Sequence, residues 1–306
     1  MRYAEQINIL LDSLVDAMTA AIDDRTSYNA NHSRNMARCA ECFLDRAGAN
    51  DPAWNWTADH RRAFLLAIRL HDVGKLVTPL SVMDKESRLG EKLERIEERF
   101  RRMDLLDRIA FLEGRITEEE YREQTGARRG TMDRIRRINS AVFLSADDVL
   151  WAEELARQTF QNEDGADEAV LTQEEAECLR IRRGTLTGAE RQVMEDHVKE
   201  TSRILSQVHF PREYREIPFW AAAHHECLDG TGYPDHLTAK DIPEEVRLMT
   251  ILDIFDSLVA SDRPYKKPMT AKEALGILKR MEEQGKLDAG LLKLFEESRA
   301  WEEVYD

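Results

Sequence analysis

Long hydrophobic runs are missing from this sequence of 306 residues, and glycine and proline are scarce, at 14 and 8 residues. No stretch approaches the roughly 20 apolar residues that a membrane-spanning helix needs. Met1 is not followed by the basic flank and apolar core of a secretion signal. The composition also excludes a collagen-like or disordered chain. We therefore predict a folded, cytoplasmic protein that makes no membrane contact.

An excess of positive charge is also missing. The 44 Lys and Arg residues are outnumbered by 59 Asp and Glu residues, which gives a formal net charge of −15. Such a balance repels a polyanion. The sequence therefore argues against a nucleic-acid polymer as partner, and a smaller anionic ligand would need cations placed locally.

Cysteines are few, and their spacing does not form a zinc site. Cys39 and Cys42 make one C-x-x-C pair, whereas Cys178 and Cys227 stand alone. A four-cysteine zinc site needs a second pair. Because residues 35–44 have a helical pattern, we interpret the pair as small buried thiols in a reducing compartment.

Helical periodicity dominates what is present, and it predicts an all-α fold. Ile7 to Ile22 reads as one amphipathic helix, and Asp59 to Leu70 as a buried helix that runs directly into His71. Thr residues followed three positions later by an acid are typical helix starts. Five such pairs occur: Thr117 with Glu120, Thr172 with Glu175, Thr187 with Glu190, Thr238 with Asp241, and Thr270 with Glu273.

A highly charged segment, residues 84–140, carries one narrow apolar seam with coiled-coil spacing. The seam consists of Leu89, Leu93, Ile96, Phe100 and Met103. So narrow a stripe predicts a solvated hairpin arm or a partner-facing helix rather than a core, with a turn near Gly126 and Gly130. The arm either pairs with a second copy or another signalling protein, or folds back on its own domain.

Histidines and an adjacent carboxylate carry the clearest chemical signal. The candidates are His32, His71 with Asp72, His197, and His224 with His225. Imidazole and carboxylate suit first-row divalent metals, and a carboxylate can bridge two ions. A lone histidine is more often structural. Neighbouring ligands reach one site only near a helix end, and glycines follow both doublets.

Four motifs resemble those of the HD-GYP phosphodiesterases, a branch of the HD-domain metal-dependent phosphohydrolases. They are HDVGK at 71–75, LTGAERQVMEDH at 186–197, HHECLDGTGYP at 224–234 and LDIFDSLVASDRPYKK at 252–267. The resemblance covers about 24–79 and 184–278. It implies a helical catalytic domain made of residues 1–83 and 184–306, with residues 84–183 as a helical insertion.

The resemblance also implies two divalent metal ions per chain, iron or manganese. One ion would be held by His32, His71, Asp72 and Asp253, and the other by Asp72, His197, His224 and His225. Some relatives have a glutamate four residues before the first histidine that helps to bind a third metal. Tyr28 stands there in this chain, so two metals are expected, with Asp72 as their bridge.

Substrate contacts are implied by the same resemblance. They fall on Lys75, on the loop residues Asp229, Gly230, Gly232, Tyr233 and Pro234, and on Arg263 and Lys266. Gly230 and Gly232 allow backbone conformations that let a flat ligand approach the main chain. We leave the role of Asp256 open, and we interpret Trp54 and Trp56 as packing residues.

The implied activity is hydrolysis of cyclic di-GMP by a metal-activated water, with Asp72 and Lys75 as catalytic residues. With two metals, we expect the linear dinucleotide pGpG as product rather than GMP. One alternative is a hydrolase of another nucleotide, such as cyclic GMP-AMP or a mononucleotide, and a second is a signalling adaptor with a weak site. The stretch before Ile22 is too short for a sensory domain, so regulation comes from a separate protein or the chain is a fragment.

Overall fold

The computed structural model describes residues 2–25, 31–260 and 268–305. Its helices are α1 (Arg2–Asp23), α2 (His32–Asn50), α3 (Ala58–Leu70), α4 (Leu80–Met83), α5 (Lys92–Leu112), α6 (Glu118–Ser140), α7 (Ala146–Leu155), α8 (Gln173–Leu179), α9 (Gly188–Glu195), α10 (His197–Leu205), α11 (Ile217–Ala222), α12 (Glu244–Val259), α13 (Ala271–Glu283), α14 (Ala289–Ser298) and α15 (Glu302–Tyr305). Short 3₁₀ helices span Pro52–Trp54, Val73–Leu76 and Arg212–Tyr214. Two short strands, β1 (Thr159–Gln161) and β2 (Asp167–Ala169), pair in antiparallel fashion.

The prediction of an all-α fold is confirmed, with the β1–β2 hairpin as a small addition. The four cysteines are free. Cys39 of the C-x-x-C pair is buried, as interpreted, whereas Cys42 is only half-buried. None of the described helices has the length and apolar character needed to cross a membrane.

The chain divides into two compact units. Unit 1 consists of Met1–Thr78 and Val193–Asp306, and unit 2 of Pro79–Gln192. The divisions predicted from the sequence lie at 83/84 and 183/184. The histidines and the aspartates of the candidate site that the structure describes all belong to unit 1.

Unit 1 is built around helices α3 and α12. Phe64, Ala67 and Ile68 of α3 are fully buried, as expected for a helix that is apolar nearly all round. Helix α12 is buried along most of its length and contacts α2, α11, α13 and α14. Because both central helices carry candidate metal ligands at or near buried positions, the core itself positions the site. Trp54 and Trp56 stack on each other at 5.6 Å, which confirms their packing role.

Unit 2 has a core of its own, and this corrects the prediction that the narrow seam is unable to anchor one. Leu89, Ile96 and Phe100 of that seam are buried against Ile135 and Ile138 of α6. A single stripe suffices because α7, α8 and the hairpin add further apolar residues to the same cluster. The segment thus packs within unit 2, and its folding back on the catalytic domain stays a prediction. Pairing with a second copy through another surface stays a prediction.

The sequence predicted the turn between the two long helices of unit 2 near Gly126 and Gly130. This prediction is wrong, because α6 runs through both glycines. The chain turns instead at Gly114, whose φ of +72° an L side chain rarely adopts. Thr117 starts α6 with a complete capping box to Glu120. Arg128 then pairs with Asp104 and Asp107 of α5, which holds the glycine-containing segment helical.

Four of the five predicted helix starts are confirmed. Thr117, Thr172 and Thr270 form complete capping boxes, and Thr187 exchanges the same two hydrogen bonds with Glu190 just before α9. Thr238 was wrongly predicted. Its hydroxyl donates a hydrogen bond to the side chain of Asp241, but only a turn follows. The next helix, α12, begins after Pro243.

Candidate metal centre

The His71–Asp72 pair lies where helix α3 ends. Residue His71 caps the helix, and Asp72 leaves helical geometry with φ −100° and ψ 11° before the 3₁₀ helix Val73–Leu76. Consecutive side chains on a regular helix diverge by about 100°, so this end allows both side chains to face one site. His71 is 0% exposed and Asp72 is 2% exposed.

The His224–His225 pair lies at the end of another helix. Helix α11 ends at Ala222, and the doublet follows one residue later. The two imidazole centroids are 4.0 Å apart, and that of His224 lies 4.6 Å from that of His71. The hydroxyl of Thr250 on α12 donates to the carbonyl of His224 at 2.8 Å. The second doublet is thereby held against both α3 and α12.

Close backbone contact brings helix α10, and with it His197, beside the first doublet. A Cβ atom on Gly74 would lie only 1.9 Å from the carbonyl oxygen of His197, so the approach requires glycine. Thr201 of α10 donates its hydroxyl to the carbonyl of His71 and accepts from the N–H of Gly74, both at 2.9 Å. This contact places His197, the first residue of α10, next to Asp72.

One group of possible ligand atoms gathers around His32. Its Nε2 lies 3.2 Å from Nε2 of His71, 3.2 Å from Oδ1 of Asp253 and 3.8 Å from Oδ2 of Asp72. The ligand atoms of His32, His71 and Asp253 all lie within 4.8 Å of one another, and all three residues are buried. Two imidazoles and two carboxylates thus converge on one small volume.

A second group gathers on the other side of Asp72. His197, His224 and His225 offer nitrogens that lie within 4.8 Å of one another. Oδ1 of Asp72 is 3.3 Å from Nε2 of His197, whereas Oδ2 is 3.2 Å from Nε2 of His71. One oxygen of Asp72 therefore faces each group, which is the arrangement that a bridging carboxylate requires.

Backbone carbonyls orient three of the imidazoles. Nδ1 of His71, His197 and His224 contacts the carbonyl oxygen three residues earlier at 2.6, 2.7 and 2.7 Å. A proton on Nδ1 satisfies each contact and leaves Nε2 with a lone pair that faces the centre. This pattern is typical of metal-ligating histidines, whose other nitrogen is held by a hydrogen bond.

Unsatisfied buried atoms support a metal fit. Among the described residues, Nε2 of His197, Nε2 of His224 and Oδ1 of Asp72 are buried without a hydrogen-bond partner. Leaving a buried polar atom unpaired costs about 1–3 kcal/mol, and these three atoms belong to neighbouring residues. Divalent cations would satisfy all three at once, so the residues present fit a metal centre.

The carboxylates of the centre stay ionised. Burial acts to raise the pKa of Asp72, but the neighbouring imidazoles of His71 and His197 and the ammonium group of Lys75 outweigh it and hold that pKa well below its usual range. The pKa of Asp253 is lowered in the same way, because its hydrogen bond with His32 and the neighbouring imidazoles outweigh burial. Both groups are therefore in the form that binds a cation.

The imidazoles differ between the two groups. Burial lowers the pKa of His224 well below its usual value and that of His225 to about 3. Burial also acts to lower the pKa of His32, but hydrogen bonds with Asp253 and Asp256 raise it to about 10. The His224–His225 side thus presents neutral ligands, whereas a cation bound beside His32 would compete with a proton there.

Lys75 and the glycine-rich loop border the centre. Nζ of Lys75 lies 2.6 Å from Oδ2 of Asp72. The ring of Tyr233 lies 4.8 Å from that of His225. Gly230 has a φ of +77°, and a Cβ atom on Gly232 would lie 2.3 Å from the amide nitrogen of Cys227, so this loop follows a path that needs glycine at both positions.

Carboxylates shape the same loop from inside. Glu226, only 2% exposed, accepts hydrogen bonds from the N–H groups of Asp235 and Leu237 at 2.7 and 3.0 Å. Asp229 is exposed, and its side chain accepts from the N–H and hydroxyl of Thr231. Pro234 follows Tyr233 in the same turn. These hydrogen bonds hold the loop beside the histidines.

Three predicted residues lie outside the residues that the structure describes: Tyr28, Arg263 and Lys266. The expectations for a third metal and for the RPYK cations concern these positions.

Sequence reasoning missed the hydroxyl groups of Thr201 and Thr250, and it left Asp256 without a role. Oδ2 of Asp256 lies 2.6 Å from Nδ1 of His32. Asp256 follows Asp253 by three residues on α12, the spacing of neighbours on one helix face, and this was the signal that placed it beside the site. The two threonines carry no such signal, because single hydroxyl groups occur throughout the chain.

A separate cavity of about 690 Å³ lies on helices α1, α2 and α3. It is lined by charges of both signs, and Arg62 and Arg69 pair there with Asp12 and Asp16. None of the candidate metal ligands lines it. The convergent, buried histidines therefore distinguish the metal centre as the candidate site.

Residues 174–291 match the family model of the HD domain. A 3′3′-cGAMP-specific phosphodiesterase 3 of Vibrio cholerae is 38% identical over 95 residues, which are 31% of this chain and 20% of that protein. The cyclic di-GMP phosphodiesterase response regulator RpfG of Xanthomonas campestris is 38% identical over 104 residues, 33% of this chain and 26% of that protein.

A cyclic di-GMP phosphodiesterase of Thermotoga maritima is also 38% identical, over 98 residues that make up 31% of this chain and 26% of that protein. The chain thus spans about a quarter or less of the length of these curated relatives. Residues 174–291, which match the HD-domain model, include His197, His224, His225 and Asp253 of the candidate centre.

Proposed function

We propose that this chain, which contains an HD domain, is a metal-dependent phosphodiesterase that hydrolyses a cyclic dinucleotide. The observation that carries the proposal is the pair of ligand groups that share Asp72. One oxygen of this carboxylate faces His32 and His71, and the other faces His197. The names of the three similar proteins, each a phosphodiesterase of a cyclic dinucleotide, support the same reaction class.

The proposed ligand sets are the two groups of side chains on either side of Asp72. His32, His71, Asp72 and Asp253 would hold one divalent ion, and Asp72, His197, His224 and His225 would hold the other. Iron or manganese is the proposed metal, since imidazole and carboxylate ligands suit both. Bound ions of this kind lower the pKa of a water molecule so that it can attack phosphorus, and they neutralise charge on the phosphate oxygens.

The residues around the centre supply binding and orientation. Lys75 lies beside Asp72 and offers an ammonium group to a phosphate oxygen. The rigid loop from Asp229 to Pro234 lets a flat base approach the backbone at Gly230 and Gly232, and Tyr233 covers His225. In this proposal Arg263 and Lys266 add further cations, which a chain with a net charge of −15 needs locally.

Cyclic di-GMP is the proposed substrate, and pGpG the proposed product. The second candidate substrate is 3′3′-cyclic GMP-AMP, because the similar protein of Vibrio cholerae is named as a phosphodiesterase specific for it. A comparison of turnover of the two dinucleotides by the same preparation decides between them. Accumulation of GMP as main product would contradict the argument from Tyr28.

The first experiment measures metal content and cyclic di-GMP turnover of protein purified without oxygen. We expect two divalent ions per chain, and a loss of turnover of roughly a hundredfold or more in Asp72→Ala, because this change removes the shared ligand. Asp133 is an exposed carboxylate of unit 2, and Asp133→Ala is the matched control. We expect this variant to keep both the metal content and the turnover of the wild type. Metal-free protein, or full turnover in Asp72→Ala, would contradict the proposal. Bound metal without turnover of either dinucleotide would favour the adaptor alternative.

A further inference from the structure

Asp256 is a buried carboxylate, 1% exposed, whose two oxygens have separate partners. Its Oδ2 lies 2.6 Å from Nδ1 of His32, and its Oδ1 accepts a hydrogen bond from the hydroxyl of Tyr305. Tyr305 ends the short helix α15, more than 270 positions along the chain from His32. A continuous chain of hydrogen bonds therefore joins the C-terminal helix to a candidate metal ligand.

His32 is oriented differently from His71, His197 and His224. Nδ1 of His71, His197 and His224 is held by the carbonyl oxygen three residues earlier in the chain. His32 is the first residue of α2, so no turn of that helix precedes it. The orientation of its ring depends instead on the carboxylate of Asp256, which comes from another helix.

The position of Tyr305 is itself fixed by the core. Its ring packs 5.8 Å from that of Phe255, and Trp301, only 6% exposed, packs 5.5 Å from the same ring. Arg46 of α2 donates hydrogen bonds to the carbonyls of Ser298 and Arg299 at 2.7 and 2.8 Å. These contacts hold α15 against α2 and α12, and the hydroxyl of Tyr305 has a defined place.

We propose that Tyr305 is a positioning residue of the metal centre, which orients Asp256 and, through it, the imidazole of His32. The inference rests on the proposed metal centre and extends it to a helix that none of the recognised motifs includes. A carboxylate with both oxygens bonded is held in one rotamer. Loss of one bond frees it to rotate and releases the ring of His32. Substitution of a residue that hydrogen-bonds a metal ligand typically lowers the metal affinity by 10–100-fold.

The test is a calorimetric titration of metal-free protein with Mn²⁺, which reports binding without any turnover. In the wild-type protein we expect two binding events. Tyr305→Phe removes only the hydroxyl and keeps the ring against Phe255, so we expect one event to weaken by about tenfold while the other is unchanged. Tyr214→Phe makes the same chemical change in the 3₁₀ helix Arg212–Tyr214, at a cavity that none of the candidate ligands lines, and is expected to match the wild type in both events.

A double-mutant cycle asks whether Tyr305 acts through Asp256. Asp256→Asn is expected to weaken the same Mn²⁺ event by tenfold or more, and Tyr305→Phe made in that background is expected to add nothing further. A merely structural contribution of Tyr305 would instead add in full to the effect of Asp256→Asn. The midpoint of thermal unfolding, measured without metal, checks that each variant is folded.

The outcomes separate this inference from the proposed function. Two Mn²⁺ events in the wild type that are both unchanged in Tyr305→Phe, or both weakened, would overturn the role of Tyr305 and leave the metal centre standing. A wild-type protein that takes up no Mn²⁺ would overturn the metal centre, and the role of Tyr305 with it. Should Asp256→Asn fail to fold, the comparison of Tyr305→Phe with Tyr214→Phe still decides.

Discussion

At the scale of single residues, the metal centre depends on hydroxyl groups as much as on its ligands. Thr201 bridges the backbone of the HD motif to α10, and Thr250 fixes the carbonyl of His224. Neither side chain offers a nitrogen or carboxylate to a metal. Their part is to hold the main chain of the histidine-bearing segments where the imidazoles converge.

Replacing Thr201 by valine should therefore disturb both stability and metal binding. The change keeps the shape of a side chain that is 0% exposed but leaves the N–H of Gly74 and the carbonyl of His71 without this partner. We expect a loss of about 1–3 kcal/mol in the free energy of unfolding, together with weaker uptake of Mn²⁺. Urea unfolding and Mn²⁺ titration measure the two effects.

Thr131→Val is the matched control for this change. The Thr131 hydroxyl donates to a carbonyl of its own helix, α6, at a solvent-facing position. It should change neither quantity by more than about 0.5 kcal/mol. Equal effects of the two substitutions would contradict the bridging role of Thr201.

Residue types explain what could be predicted at this scale. His71, Asp72, His224 and His225 stand out because adjacent metal-ligand residues are uncommon, and a helix end was expected after each doublet. The structure places both pairs of adjacent residues at helix ends. Thr201 was not predictable, because its importance comes from the close approach of Gly74 to α10, a contact between segments far apart in sequence.

At the scale of elements, the two long helices of unit 2 show where local reasoning failed. Glycines 126 and 130 suggested a turn, yet both lie inside α6. Intrinsic preference is a weak guide when a helix has a capping box at one end and ion pairs to a neighbour along its length. The turn formed instead at Gly114, the position with positive φ.

Substituting alanine at Gly126 tests this finding. A Cβ atom there meets nothing within 4 Å, and the backbone is helical. We expect Gly126→Ala to raise the free energy of unfolding of unit 2 by up to about 1 kcal/mol, since alanine loses less conformational entropy in a helix. Chemical unfolding followed by circular dichroism measures the change.

Gly114→Ala provides the contrast, because a Cβ atom there also meets nothing within 4 Å but φ is +72°. It should lower the free energy of unfolding by about 1 kcal/mol. A destabilising Gly126→Ala would indicate that Gly126 does lie in a turn.

At the scale of the whole molecule, unit 1 places several carboxylates and imidazoles in its interior. Asp72 and Asp253 are both less than 10% exposed, together with His71 and His224. Burial of charged and polar groups opposes folding unless each finds a partner. Bound cations would supply those partners, so metal binding and folding stability should be coupled.

Removal of divalent metal should therefore lower the midpoint of thermal unfolding. A ligand present at a hundred times its Kd adds about 2.7 kcal/mol to the stability of the native state. Calorimetric scans of the Mn²⁺-loaded protein with and without a chelator measure the difference, and Asp72→Ala should show a clearly smaller one. Identical midpoints for the wild-type protein under both conditions would contradict the coupling.

Local sequence patterns were enough to predict the helical class, four of the helix starts, the buried helix before the HD pair, and the residue types able to bind metal. These follow from periodicity, capping chemistry and side-chain chemistry, which act over a few neighbouring positions. The candidate ligand residues could be named for the same reason.

The contacts between elements that are distant in sequence could be seen in the tertiary structure alone. The apolar seam of unit 2 became a core because other elements covered it, and Asp256 acquired a partner at each oxygen because α2 and α15 pack beside α12. Contacts between distant segments depend on the packing of the whole unit, which no local pattern records.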